Sequence, residues 1–194
     1  MLKLKKEQLN QNIFSDVKLP KFLYAKKQIT LSSKVCFDGI GLHTGNKVKM
    51  VLNPAPPETG IVFRKKLKNK IILIPANFKN VKSTELCTLI SDSYGNSVST
   101  VEHILSALYA YEIDNLFIDL DSNEIPVCDG SSIQFIEELE KVTLQEQDSY
   151  KKFLKIKKNI EVVDGNKCAR VSPFDNTLIT TDMSLVRFLK TYLV

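Results

Sequence analysis

Two histidines occur in this 194-residue chain, and one of them, His103, directly follows Glu102 in the stretch SVSTVEHILSALYA, residues 97–110. That pairing suits hydrolysis. A neutral imidazole can ligate a metal ion, and a carboxylate beside a metal-bound water can take its proton. The first turn of a helix carries partial positive charge, which favours the neutral imidazole that a ligand requires. A plainer reading fits the same letters. Ser99 and Glu102 stand at the S-x-x-E spacing of a capping box, in which Glu102 closes the cap and His103 is an exposed helix residue. At ~100° per residue, an apolar face centred on Val101 and Leu108 puts His103 about 200° away, facing off the core, with Glu102 on the flank. Glu-His is not H-E-x-x-H, and a catalytic zinc takes about three protein ligands. The other donors, His43, the cysteines and the carboxylates, have no ligand-like spacing, so both readings stay open.

Two further stretches could serve a site. In DGIGLHTGNKV, residues 38–48, Gly39, Gly41 and Gly45 flank His43 and Thr44. Such a turn can bring backbone amides close to a ligand, or glycine can simply serve an awkward strand connection. It is not a phosphate loop, because it lacks the Gly-Lys-Ser/Thr end and opens a strand where a phosphate loop opens a helix. In EIPVCDGSS, residues 124–132, Pro126 and Gly130 make a turn, and Asp129 reads as a turn residue.

The elements that must hold these residues are short apolar or alternating runs: ITLSSKVCF, KVKMVLNP, GIVFRKK, KIILIPA, ELCTLIS and DNLFIDLD. Each is bounded by Gly, Pro, Asn or Asp and predicts a strand, with Tyr94 to Asn96 turning ELCTLIS back as a hairpin. Two capping-box spacings, Ser99 to Glu102 and Ser131 to Gln134, predict two helices. The first presents Val101, Ile104, Leu105 and Leu108; the second presents Ile133, Ile136 and Leu139, with Phe135 at its edge. About six strands and two amphipathic helices predict an α+β fold, a two-layer sandwich with both helices on one sheet face.

Around that domain, assigned to 29–143, residues 1–28 read as a lysine-rich extension and 144–151 as a polar linker. Residues 152–194 read as the truncated start of a second domain, opening with a hairpin whose turn is Asp164-Gly165. The closing VRFLKTYLV reads as an apolar tail where the pattern dissolves. Composition narrows the function classes. The net charge of +5 comes almost wholly from lysine, with guanidinium only at Arg64, Arg170 and Arg187, which argues against nucleic acid as the partner. Cys36, Cys87, Cys128 and Cys168 form no C-x-x-C pair and read as reduced thiols. No run approaches the roughly 18 apolar residues of a transmembrane segment, so a cytoplasmic protein is expected.

GIGLHTG, Leu86-Cys87-Thr88, STVEH with a short helix and then IDN, and EIPVCDGSS together resemble, in order and spacing, the UDP-3-O-acyl-N-acetylglucosamine deacetylases. These are zinc hydrolases of lipid A biosynthesis in Gram-negative bacteria. The resemblance runs from about Ile29 to Lys141 and weakly on to Phe174. It implies two halves, each a helix-on-sheet sandwich of the ribosomal S5 domain 2 kind, with the active site between them. It implies Zn2+ as cofactor, His103 as a zinc ligand, Glu102 as the general base, and His43, Cys87 and Leu42 near the substrate. The implied substrate is a UDP-linked acylated glucosamine that loses its N-acetyl group, in the cytoplasm or at the inner membrane periphery. The family's other ligands, a histidine and an aspartate in H-K-x-x-D, have no counterpart here. This chain alone is therefore expected to be inert, as a truncated enzyme, as one subunit of a split enzyme completed by a separate chain, or as a non-catalytic interaction module.

Overall fold

The computed structural model describes residues 26–67 and 70–174, and these fall into two compact units, one ending at Lys151 and the other beginning at Lys152. Most of the extension 1–28 and the closing segment VRFLKTYLV lie outside the described residues. In chain order the elements are β1 (Lys27–Leu31), β2 (Val35–Ile40), β3 (Lys47–Pro54), β4 (Ile61–Leu67), β5 (Lys70–Pro75), β6 (Val81–Ser83), β7 (Leu89–Ser91), β8 (Ser97–Val98), α1 (Glu102–Ala110), β9 (Leu116–Leu120), α2 (Ile133–Leu139), β10 (Leu144–Tyr150), β11 (Ile160–Asp164) and β12 (Lys167–Val171). The class is α+β.

The main sheet has five strands in the order β2-β3-β9-β4-β5, antiparallel except for the parallel pair β4 and β9. Alternation decides its faces. Val35 and Phe37, Val48, Met50 and Leu52, Phe63, Ile74, and Leu116, Ile118 and Leu120 are all buried in one cluster that also takes Ile104 and Leu108 of α1 and Phe135 and Leu139 of α2. Each such side chain contributes roughly 1.5–3 kcal/mol by leaving water. The other sheet face is polar at its centre, where Arg64 grips Asp119 through two hydrogen bonds of 2.5 and 2.7 Å and lies over the Phe117 ring.

Several expectations change. ITLSSKVCF is not one strand: the chain bends at Ser32 and Ser33, and its halves join different sheets. Only the end of ELCTLIS is extended, although its hairpin through residues 92–96 forms, pairing Ile90 with Val98 and Ser91 with Ser97. Neither capping box exists. The residue ahead of α1 is Val101 and that ahead of α2 is Ser132, both in helical backbone geometry and neither giving a side-chain cap. Tertiary partners, Asn123 and Thr88, have taken the Ser99 and Glu102 groups, and the Ser131 hydroxyl bonds Asp129 and the Ile133 amide instead of the Gln134 amide. On α2 the apolar stripe is rotated. Phe135 is fully buried, with its ring 5.3 Å from that of Phe37, while Ile133 is 57% exposed. The large aromatic fills the space over the sheet, and Ile133 yields the place.

The stretch 144–151, expected as a linker, contains β10, which pairs antiparallel with β1. No apolar alternation could reveal it, because its anchors are polar. Gln147 donates to the Ala55 carbonyl and accepts from Asn115, and the Lys151 ammonium holds Asp114 and the Glu112 carbonyl. Asn115 also donates to Gln28 and accepts from the Gly60 amide, so a buried polar network fastens β1 and β10 together. In the other unit, β11 and β12 form the expected hairpin, in register from Ile160 opposite Val171 to Asp164 opposite Lys167.

Candidate active site

The motif segments lie side by side. Residues 123–127 run as an extended segment between two others. On one side the Val127 amide donates to the Ile40 carbonyl and Gly41 bridges Pro126. On the other, the Ser99 amide donates to the Asn123 carbonyl, and the Ile125 amide donates to the Ser99 carbonyl. Gly39 is required here for room, since a Cβ at that position would stand 2.7 Å from Cβ of Pro126. Lys65 of β4 donates to Asn123 Oδ1 and to the Ser97 carbonyl, and burial pushes its ammonium pKa down.

At the centre is Glu124, fully buried. Its Oε1 accepts from the His43 amide at 2.9 Å and from the Thr100 hydroxyl at 3.0 Å, and its Oε2 accepts from the Thr44 amide at 2.9 Å and the Thr44 hydroxyl at 2.7 Å. Burial pushes this carboxyl up, but the hydrogen bonds from His43, Thr44 and Thr100 outweigh it and hold the pKa below the ordinary glutamate value. The carboxylate therefore stays charged in the interior, and its charge is spread over four donors. Gly41 makes the approach possible, because a Cβ there would collide with Glu124 Oε2 and Thr44 Oγ1.

From Thr100 the construction reaches Glu102. Thr100 is a buried β-branched residue at φ +60°, a left-handed backbone conformation that costs on the order of 1–3 kcal/mol and persists only where its surroundings impose it. Val101 then donates its amide to the Thr88 carbonyl at 3.4 Å, and the Thr88 amide donates back to Glu102 Oε2 at 3.0 Å. The Glu102 carboxylate is thus aimed by the backbone of the Cys87-Thr88 segment just ahead of β7 and takes no part in a cap. Cys87 sits beside that contact as a half-buried free thiol, and the preceding Leu86 is itself left-handed at φ +64°.

His103 is half-buried in the first turn of α1, and its carbonyl accepts from the Ser132 hydroxyl at 3.0 Å, which ties the starts of the two helices together. Asp129 accepts from the Ser131 amide and hydroxyl, which hold its carboxyl below the ordinary range, so it shapes the turn into α2. His43 and Leu42 are exposed on the loop after β2, Leu42 at 58%. The structure thus joins Glu102 to the Cys87-Thr88 segment, and joins the His43 backbone, through Glu124, to Thr100. A polar groove of about 440 Å³ beside Thr44, Lys47, Asp121 and Asn123 includes neither Glu102 nor His103. Among the described residues no group of three or more His, Cys, Asp or Glu side chains is placed to hold a metal. On that donor set His103 does not make a zinc site with its described neighbours. Sequence reasoning missed Glu124 and Thr100, whose roles rest on partners 24 to 81 positions away.

No helix among the described residues is long and apolar enough to cross a membrane. Comparison with known proteins places residues 28–191 in the family model described as LpxC, UDP-3-O-acyl N-acetylglycosamine deacetylase. The UDP-3-O-acyl-N-acetylglucosamine deacetylase of Idiomarina loihiensis is 44% identical over 149 residues, covering 77% of this chain and 49% of that protein. The proteins of the same name from Pseudoalteromonas atlantica and Glaesserella parasuis are 48% and 40% identical, covering 77% and 78% of this chain and 49% and 50% of their own lengths. The chain spans about half the length of the curated relatives it matches. With the motifs adjoining in space and the match running through most of its length, the chain belongs to the UDP-3-O-acyl-N-acetylglucosamine deacetylase family.

Proposed function

We propose that this chain provides the Glu102 and His103 portion of the active site of a zinc-dependent deacetylase. The reaction removes the N-acetyl group from UDP-3-O-(3-hydroxyacyl)-N-acetylglucosamine, giving the free amine and acetate, in lipid A biosynthesis. The observation that carries the reading is the Glu102 carboxylate, aimed by the Thr88 amide at 3.0 Å from the first turn of the helix that bears His103. One carboxylate oxygen is held by Thr88 and the other is left to take a proton from water and return it to the leaving amine. His103 would be one ligand to Zn2+, with the rest coming from outside the described residues; zinc, when bound, supplies Lewis acidity. His43, Cys87 and Leu42 lie on the segments that border Glu102 or the Glu124 cluster and would meet the UDP-linked acylated glucosamine.

Residues 29–143, extended to Lys151 by β10, are the first domain of this enzyme, a helix-on-sheet sandwich of the ribosomal S5 domain 2 kind; the single apolar cluster shared by one sheet face and both helices supports that reading. Residues from 152 onward open the second copy of that sandwich. The enzyme works in the cytoplasm, at the inner membrane periphery where its acylated substrate is handled. The described residues do not complete a zinc site by themselves, so turnover calls for ligands from elsewhere, such as a polypeptide that carries H-K-x-x-D.

The experiment is acetate release from the UDP-linked substrate by the chain with zinc, with and without such a second polypeptide, for wild type and Glu102→Gln. Expected are activity only in the complemented mixture and a loss on the order of 10²–10⁴-fold in the variant. Acetate release by the variant at the wild-type rate, or none from any wild-type mixture, overturns the reading. A second reading, a non-catalytic interaction module, is favoured by the lack of a third metal donor among the described residues. It predicts partner binding that is indifferent to zinc and to Glu102.

A further inference from the structure

We propose that Glu124 is a positioning residue for the Glu102 and His103 turn, acting through Thr100. It touches neither of those residues. Its effect runs through a chain of contacts: Glu124 Oε1 to the Thr100 hydroxyl at 3.0 Å, Thr100 held at φ +60°, Val101 bonded to the Thr88 carbonyl, and the Thr88 amide on Glu102 at 3.0 Å.

Three features set this carboxylate apart from an ordinary structural one. A buried charge survives only when fully partnered, and all four of its donors come from two motif segments, His43-Thr44 and Thr100. Backbone pairing brings Gly41 and Ser99 alongside residues 123–127, but the loop holding His43 and Thr44 is otherwise exposed, and it is this carboxylate that ties it to Thr100. A left-handed threonine would relax toward negative φ if released, and a backbone change two residues ahead of Glu102 re-aims the first turn of α1. Gly41 belongs to the same device, since any side chain there takes the space of the carboxylate.

The inference rests on the deacetylase reading for its kinetic arm only, and the test separates the two. Amide hydrogen exchange on the 194-residue chain is followed at Thr88, whose protection reports the Glu102 contact and which is not among the hydrogen-bond donors to Glu124. In Glu124→Gln the Thr88 amide is expected to exchange about tenfold faster or more, a lost hydrogen-bond's worth of protection, with the Leu108 amide, beyond the first turn of α1, unchanged. Should Glu124→Gln fail to fold, Thr100→Val leaves the carboxylate its other three donors and is expected to expose Thr88 likewise, while Thr100→Ser, which keeps the hydroxyl, restores protection. In any preparation where the wild type releases acetate, Glu124→Gln is expected to lower kcat about a hundredfold with KM nearly unchanged, the signature of a misaimed group. Unchanged Thr88 exchange in Glu124→Gln and Thr100→Val overturns the inference, as does a change confined to KM. If no wild-type preparation is active, the enzyme reading fails and the exchange experiment still decides this one.

Discussion

The Glu124 cluster and the hairpin of β11 and β12 use the same chain chemistry to opposite ends. Around Glu124, a carboxylate with no exposed surface is satisfied by four donors, and the neighbouring Val101, Ile104 and Ile125 are wholly buried. In the hairpin every residue of both strands is exposed, Val162 at 41% and Val163 at 59%, and Arg170 is paired with Glu161 in water. One region is over-determined: each contact enforces the next, so it can hold a left-handed threonine. Among the described residues the other has backbone pairing and one exposed ion pair, and a two-stranded hairpin so exposed is marginal in water. A group whose aim matters to chemistry belongs in the first kind of surroundings, and Glu102 is there.

Four measurements would break or sharpen that contrast. The largest effect is expected from Phe135→Ala, which empties a fully buried site beside Phe37 and should cost about 3–5 kcal/mol in urea denaturation; a cost near zero would mean that α2 does not rest on the sheet. Next comes Glu124→Gln, which sets an amide donor against donors and should cost about 1–3 kcal/mol at neutral pH.

That cost should vanish in acid. The folded-state pKa of Glu124 is depressed by its hydrogen bonds, so the unfolded state binds the proton more readily, and the stabilisation is whole above the unfolded glutamate value of about 4.3. It fades as pH falls through the lower folded-state value, and denaturation of both proteins from pH 7 to pH 3 should bring their stabilities together. A gap that widened toward acid would refute the charged, hydrogen-bonded carboxylate. Third, amides of β11 and β12 should exchange well before those of β3 and β9, as local opening does in weakly packed segments; equal protection would erase the contrast. Smallest is Arg170→Ala, an exposed pair worth about 0–0.5 kcal/mol, and a larger loss would show the hairpin to be braced by its surface.

Much of the fold was legible because strands with one buried face announce themselves by alternation. KVKMVLNP occupies β3 end to end, and GIVFRKK and KIILIPA match β4 and β5 to within a residue at either end. The α1 face of Val101, Ile104 and Leu108 was equally plain. The elements that escaped were those whose stability is not apolar: β10, held by Gln147 and Lys151, and the three-residue strand β6, which has no buried residue. The same cause misled the cap readings. Ser99, Glu102 and Ser131 have the composition of helix starts, but the Ser99 and Glu102 groups are spent on Asn123 and Thr88, partners that no local window contains, and the Ser131 hydroxyl is spent on Asp129 and the Ile133 amide.

By itself the sequence determined the α+β class, the apolar faces of the long strands and of α1, and the order of the motifs that mark the family, since these follow from periodicity and residue type along the chain. The tertiary structure alone decided that Phe135, and not Ile133, anchors α2, that Glu102 answers to Thr88, and that Glu124 joins the His43 loop to Thr100. The first depends on which side chain fills the space beside Phe37, and the other two on which amide and hydroxyl donors stand within 3 Å or so of a carboxylate, between residues up to 81 positions apart, and contacts at that range leave no periodic trace in the chain.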